Sequence, residues 1–322
     1  MRVGVDVSPL VQTRAGTARH VRGLVGALRG RAGLDLELLR FGGPGRVSSV
    51  ARDTLWYPVG LARRARGLDL LHCTTFRGPA RAEVPVVVTV HDLAVLRFPE
   101  AFPLWHRQYG RAGLRRVLRA ASAVVAVSEF TKSEVVELVG TAVEQVRVVP
   151  NGVDEIFTAE GPRAEGDYVL AVATLEPRKN LARAVEAAEL AGVELRVVGA
   201  RGWGGVDVPG WVGEVPDGQL AALYRGARCV LYPSLYEGFG LPVLEAMACG
   251  TPVVTSPSTA MEEVAGGAAV LADPASADAL AAGIAETEER REELVALGFA
   301  RAAEFTWPAS ADAVEALWKD LA

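Results

Sequence analysis

The sequence predicts an α/β protein made of two tandem, doubly wound, Rossmann-like parallel-sheet domains. Three observations carry that expectation. Twelve short β-branched apolar runs alternate with amphipathic helical patterns, which is the pattern left by parallel sheets with crossover helices. A length of 322 residues exceeds one ordinary domain and suits two of about 150 residues each. A polar stretch, FTAEGPRAEGD at 157–167, interrupts the alternation after the sixth run and reads as a linker.

Taken in order, RVGVDV (2–7) is a strand followed by a loop and a helix from about Thr17, with Val21, Leu24, Val25 and Leu28 on one face. Strands are expected at 34–41, 68–74, 84–92, 123–128 and 146–151, completing a first domain over 1–155. A second series at 168–174, 194–200, 211–215, 229–234, 252–256 and 268–273 builds a second domain over 156–305. The last segment, 306–322, reads as a helix with Pro308 near its start and a stripe of Val314, Leu317, Trp318 and Leu321, expected to pack near the domain seam. Ligands of such sheets bind outside the strand C-terminal ends, so the expected site is a cleft between the domains.

Composition narrows the function. Half of the residues are apolar and 23% are charged, which is globular. Cys73, Cys229 and Cys249 are too few and scattered for a disulfide framework or a zinc site, and no metal is expected. The N-terminus carries Asp6 inside its apolar stretch, unlike a signal peptide, and no apolar run reaches the roughly 18 residues of a spanning helix. A cytoplasmic protein, at most lying on the inner membrane surface, is expected. Net charge is −5, but residues 1–155 hold 22 basic and 14 acidic residues while the remainder holds 12 and 25, so the halves are expected to meet different partners. Nucleic acid is not among them.

Two segments of the second half concentrate unusual residues. Only three lysines and two asparagines occur in the chain, yet Lys179 and Asn180 stand side by side in TLEPRKN (174–180). Asn180 is placed to cap the following helix, so Arg178 and Lys179 sit at its positive end and call for a compensating anion such as a phosphate. LYEGFGLPVLEAMACGTPVV (235–254) puts Glu237 in a strand-end loop and Glu245 near the first turn of a helix that starts at Leu241-Pro242. The backbone N–H groups of Gly238, Phe239 and Gly240 lie beside that helix N-terminus and favour an anion, and the carboxylates suit sugar hydroxyls. A ligand with both phosphates and hydroxyls satisfies every group. In the first half, Gly16 lies in a strand-to-helix loop, with no GxGxxG or GxxxxGK[ST] pattern around it. His91 ends a strand, as does His72, which reads as core. Arg107, Arg111, Arg115 and Arg119 recur at i, i+4 with Arg116 alongside, a face that suits an anionic surface or simple solvation.

These motifs, together with VSEFTKSEV (127–135) and VPNGVD (149–154), closely resemble the retaining glycosyltransferases of family four, which have the GT-B fold. The resemblance covers nearly the whole chain and is tightest in the second half. It implies transfer of a hexose-type sugar from a nucleoside diphosphate sugar to an acceptor hydroxyl of a glycan, a lipid-linked saccharide or a small molecule. Retention of anomeric configuration is implied, with no metal and no cofactor beyond the donor. It implies Glu237 beside the donor sugar and Glu245 on the ribose. Gly238, Phe239, Gly240 and Leu241 border sugar and phosphate, Arg178 and Lys179 hold the diphosphate, and His91 touches the donor sugar. The chain departs from many relatives in carrying Ala173-Thr174 where a Gly-Arg pair is common, which gives Arg178 the arginine role. It also has Gly16 alone where paired glycines are common. A nucleotide-sugar epimerase and a non-catalytic sugar-nucleotide-binding protein are the competing readings.

Overall fold

A computed structural model describes residues 1–12, 16–43, 45–99, 113–257 and 259–322. The chain divides into a first unit of Met1–Gly152 with Trp307–Ala322, and a second of Val153–Thr306.

Each unit is built on a six-stranded sheet paired in parallel throughout. The first contains β1 (Arg2–Asp6), β2 (Asp35–Leu39), β3 (Leu70–Cys73), β4 (Val86–Val90), β5 (Ala123–Ala126) and β6 (Val146–Val148). Its spatial order is β2-β1-β3-β4-β5-β6. The second contains β7 (Tyr168–Val172), β8 (Glu194–Val198), β9 (Trp211–Gly213), β10 (Val230–Tyr232), β11 (Val253–Thr255) and β12 (Val270–Leu271), in the order β12-β11-β10-β7-β8-β9. All twelve expected strands form, each inside its apolar run. The central ones are buried and almost wholly apolar, β7 throughout and β4 except for Thr89, because helices cover both faces of a parallel sheet.

Strand order matters most for function. In the first sheet the winding reverses between β1 and β3, and in the second between β7 and β10. At such a point the loops leaving adjacent strands diverge and open a crevice at their C-terminal ends. The segments that follow β7 and β10 are TLEPRKN and the Glu237 loop.

The final helix, Trp307–Leu321, shares one core with the helix Gly16–Leu28, its Val314, Leu317 and Trp318 packing with Val21, Leu24 and Leu28. Gly23 is the concession that allows this approach: a Cβ there would stand 2.0 Å from the Trp307 ring. The helix is therefore part of the first unit, and the second unit is inserted ahead of it.

The stretch 157–167 is not a free linker, contrary to its polar composition. The Arg225 guanidinium donates to the carbonyls of Pro162 (2.7 Å) and Thr158 (3.0 Å), Ala164 N donates to Ala222 O, and the buried Phe157 ring meets Tyr224 edge-on. One buried arginine straps the segment to the helix Asp217–Gly226.

Candidate active site

The chain leaving β7 passes through a single 3-10 turn, Pro177–Lys179, into the helix Leu181–Leu190. Asn180 joins them in the left-handed conformation (φ 57°, ψ 34°), the one non-glycine residue with positive φ among the described residues. It does not cap the helix as expected from its type. Its Nδ2 donates instead to the carbonyls of Pro233 (3.2 Å) and Pro274 (2.7 Å), and Leu235 N donates to Arg178 O (2.8 Å). Asparagine tolerates this backbone region better than most residues, and here the side chain recovers the conformational cost by tying the β7 loop to the segment after β10.

That tie brings Arg178, Lys179 and Glu237 together. Lys179 Nζ donates to Glu237 Oε1, and Arg178 Nη1 to Glu237 Oε2 at 3.1 Å. The Tyr232 hydroxyl donates to Glu237 Oε1 (3.0 Å) and accepts from Lys179 (3.2 Å). Arg178 also reaches the carbonyl of Tyr236 (2.9 Å) and the carboxylate of Glu176 (2.8 Å). Two cations and two carboxylates thus balance in a buried cluster. The compensating anion that Arg178 and Lys179 require is supplied here by Glu237 and Glu176. Burial alone would raise the Glu237 carboxyl, but Lys179 and then Arg178 outweigh it and hold it at about 2. Burial and the neighbouring Arg178 draw Lys179 below the usual ammonium range, against the pull of Glu237. Glu237 is ionised at neutral pH, because a carboxyl held so low cannot keep the proton.

Glu237-Gly238-Phe239-Gly240 leads to the helix Leu241–Ala248, which Gly240 enters at φ 101°. That angle needs glycine, and Met261 Cγ already lies 3.2 Å from where a Cβ would sit. The buried Phe239 ring packs edge-on against Phe305, which leaves the loop backbone rather than this side chain for any ligand to meet. Glu245 is the fifth helical residue. It falls just past the first turn, near it as expected but beyond the residues that a helix dipole favours most. It is buried and takes a hydrogen bond from the Tyr224 hydroxyl at 2.8 Å.

In the first unit, His91 follows β4. Its Nε2–H donates to the Thr74 carbonyl (2.9 Å), which fixes the tautomer with Nδ1 as the acceptor. The His91 ring meets His20 edge-on at 4.6 Å, and His20 Nδ1–H donates to Asn151 (2.7 Å). His72 is fully buried and contacts Thr89 and the Trp318 ring, a core position as read. Burial lowers all three imidazoles, His72 to about 3, so they are neutral. Gly16 is the first, exposed residue of its helix. Arg107 and Arg111 lie outside the described residues. Arg115, Arg116 and Arg119 are exposed, and Arg119 Nε donates to Val139 O.

Residues 14–156 match the family model described as Glycosyltransferase Family 4, and 153–300 the one described as Glycosyl transferases group 1. The O-antigen chain mannosyltransferase B of Escherichia coli is 32% identical over 94% of this chain and 84% of its own length. This protein belongs to glycosyltransferase family 4. The fold of this glycosyltransferase is GT-B: sucrose-phosphate synthase from Thermosynechococcus elongatus superposes with a TM-score of 0.79 at 22% identity, over 99% of this chain and 98% of that one. Anabaena HepE, solved in complex with UDP-glucose, gives 0.74 at 18% identity, over 99% and 100%.

Four residues that contact the candidate site residues were not singled out by sequence reasoning: Glu176, Tyr232, Tyr224 and His20. Glu176 lies inside the quoted TLEPRKN, where its spacing of two from Arg178 was the available signal. Tyr232 and Tyr224 carried no signal, because a tyrosine in an apolar run reads as core until its hydroxyl has a partner.

Proposed function

We propose that this family 4 glycosyltransferase transfers a hexose, with mannose the leading candidate, from a nucleoside diphosphate sugar to a glycan or lipid-linked hydroxyl, retaining anomeric configuration and needing no metal. The observation that carries this reading is the convergence of Lys179, Arg178 and Glu237 at the switch point of the second sheet. Mannose enters through the Escherichia coli relative, whose name is that of a mannosyltransferase acting on an O-antigen chain.

In this reading the diphosphate displaces Glu237 from Lys179 and Arg178, and the cations change partner without changing place. They then stabilise the charge that grows on the leaving phosphate as the C1–O bond breaks. The acceptor oxygen bonds to C1 on the face the nucleotide leaves, and its proton passes to a phosphate oxygen of the departing diphosphate. No covalent sugar–enzyme bond is involved. Glu237, released, accepts hydrogen bonds from sugar hydroxyls. Glu245, oriented by Tyr224, takes the ribose hydroxyls. Gly238, Phe239, Gly240 and Leu241 border sugar and phosphate, Gly16 approaches the phosphates, and His91 Nδ1 accepts from a sugar hydroxyl.

The test is a thermal-shift screen of UDP, GDP, dTDP and ADP, followed by turnover of the matching donor sugars with chelator present. Stabilisation by one diphosphate identifies the base by linkage, and NMR of the product gives the anomeric outcome. Product of inverted configuration, or activity abolished by chelator, would sink the mechanism. Epimerised donor formed without acceptor would favour the epimerase reading.

A further inference from the structure

Tyr232 differs from the charged members of the buried cluster in where it is held. Arg178 and Lys179 lie in the 3-10 turn after β7 and Glu237 in the loop after β10, whereas Tyr232 is the last residue of β10 itself. That strand is paired with β11 on one side and β7 on the other, and Thr255, opposite Tyr232 in register, donates Oγ1–H to its carbonyl at 3.0 Å. The residue is buried. The sheet therefore fixes the hydroxyl, while two loops carry the charges that it touches.

Its chemistry differs as well. An ammonium or a guanidinium only donates hydrogen bonds and a carboxylate only accepts them, but a phenol hydroxyl does both. Tyr232 uses both capacities: it donates to Glu237 Oε1 (3.0 Å) and accepts from Lys179 Nζ (3.2 Å), which also donates to the same carboxylate oxygen. The ring adds to this hold, with the Lys179 ammonium 5.4 Å from its centroid. Burial and then the Glu237 charge push the phenol well above its ordinary range, so the group stays a neutral dipole.

An exchange of partners gives these differences a use. In the transfer reaction set out above, the diphosphate takes Lys179 from Glu237, and an ammonium on a flexible four-carbon stem then needs another fixed partner to keep its direction. Tyr232 supplies one. Its lone pair can stay on Lys179 while the hydroxyl proton turns from the departed carboxylate to a diphosphate oxygen, a rotation that leaves the ring in place.

We propose that Tyr232 is a positioning residue for sugar transfer, an inference that rests on the reading above: its strand-held hydroxyl keeps Lys179 Nζ aimed at the leaving diphosphate once Glu237 has turned to the sugar hydroxyls. The hydroxyl serves Lys179 before and after the exchange, so its loss weakens the empty and the nucleotide-bound protein alike. The direction of the ammonium carries full weight only in the transition state, where charge grows on the leaving phosphate.

The experiment compares Tyr232→Phe with the parent chain. Phenylalanine keeps the buried ring and removes one oxygen, so cooperative urea unfolding is expected of both. Calorimetry gives Kd for UDP, GDP, dTDP and ADP, and kcat and KM are measured with the mannosyl and glucosyl donors of the diphosphate that binds. Tyr232→Phe should lower kcat roughly tenfold to a hundredfold, the weight of one hydrogen bond to a charged group, with Kd for the diphosphate within about threefold of the parent. In a Lys179→Met background the same substitution should cost less than about twofold more, because the group it positions is gone. An unchanged kcat would overturn the proposal, as would a Kd weakened as much as kcat, which marks uniform binding, or an equal further loss in the Lys179→Met background. A parent chain that binds a diphosphate and forms no product would instead defeat the transfer reading itself, whereas product from parent and variant at equal kcat would defeat only the role of Tyr232.

Discussion

Asp6 and Glu237 are both buried carboxylates at the reversal point of a parallel sheet, Asp6 ending β1 and Glu237 standing in the loop after β10. Their acidities move in opposite directions. Burial pushes Asp6 up to about 6, only partly opposed by hydrogen bonds from the Ser8 hydroxyl (2.6 Å) and amide, with the Arg52 charge the smallest influence. Glu237 suffers the same burial, yet Lys179 and Arg178 in direct contact hold it at about 2. Burial therefore does not decide the charge state of an acid at such a point; cations in contact do.

The signs differ accordingly. Glu237, depressed from 4.5, contributes stability that is present above about pH 4.5 and is lost as pH falls through about 2. Asp6, raised from 3.8, costs nothing below about pH 3.8, and its penalty grows as pH rises to about 6 and persists above. The first unit carries an acid better neutral, the second one that must be charged.

The largest expected effect comes from removing the cation that makes the difference. Lys179→Met should lower sugar transfer by about 10²–10³-fold. It should also destabilise the protein by about 3–5 kcal/mol, because Glu237 is left buried with less compensation. Adding Glu237→Gln to that variant should recover most of the stability and none of the activity, read by urea unfolding beside a transfer assay. An unchanged melting temperature for Lys179→Met would erase the contrast between the two acids. A smaller, opposite change is expected for Asp6→Asn: stabilisation of about 2 kcal/mol near pH 7, shrinking to nothing below about pH 4, from urea unfolding at both values. Destabilisation near neutral pH would mean that Asp6 is needed in its charged form. The smallest effect concerns a carboxylate fixed by a neutral partner. Tyr224→Phe removes one hydrogen bond to Glu245 and should weaken nucleoside diphosphate binding severalfold, about 1 kcal/mol by calorimetry. Unaltered affinity would detach Tyr224 from ribose recognition.

Much of this molecule was legible in one dimension. The strands could be read because a parallel sheet covered on both faces demands nearly continuous apolar runs; β7 is such a run, and β4 is one with the single exception of Thr89. Arg178, Lys179 and Glu237 were visible because charge at the end of an apolar strand has no packing reason to be there. Where local rules misled, tertiary partners had overridden them. Asn180 has the type of a helix cap, yet its amide is used by Pro233 and Pro274, 53 and 94 residues away. The polar 157–167 stretch has a linker's composition, yet Arg225 binds it to a helix.

By itself the sequence determined the two-sheet α/β class and the residue types of the candidate site, because periodicity and rare charged pairs are local properties of the chain, while its motifs carried the resemblance to the family. Only the tertiary structure decided that Glu237 and Glu176 are the anions facing Arg178 and Lys179, and that Asp6 and Glu237 titrate in opposite directions. Strand order sets which loops become neighbours, and the distance between charges, to which no local pattern refers, sets the energy.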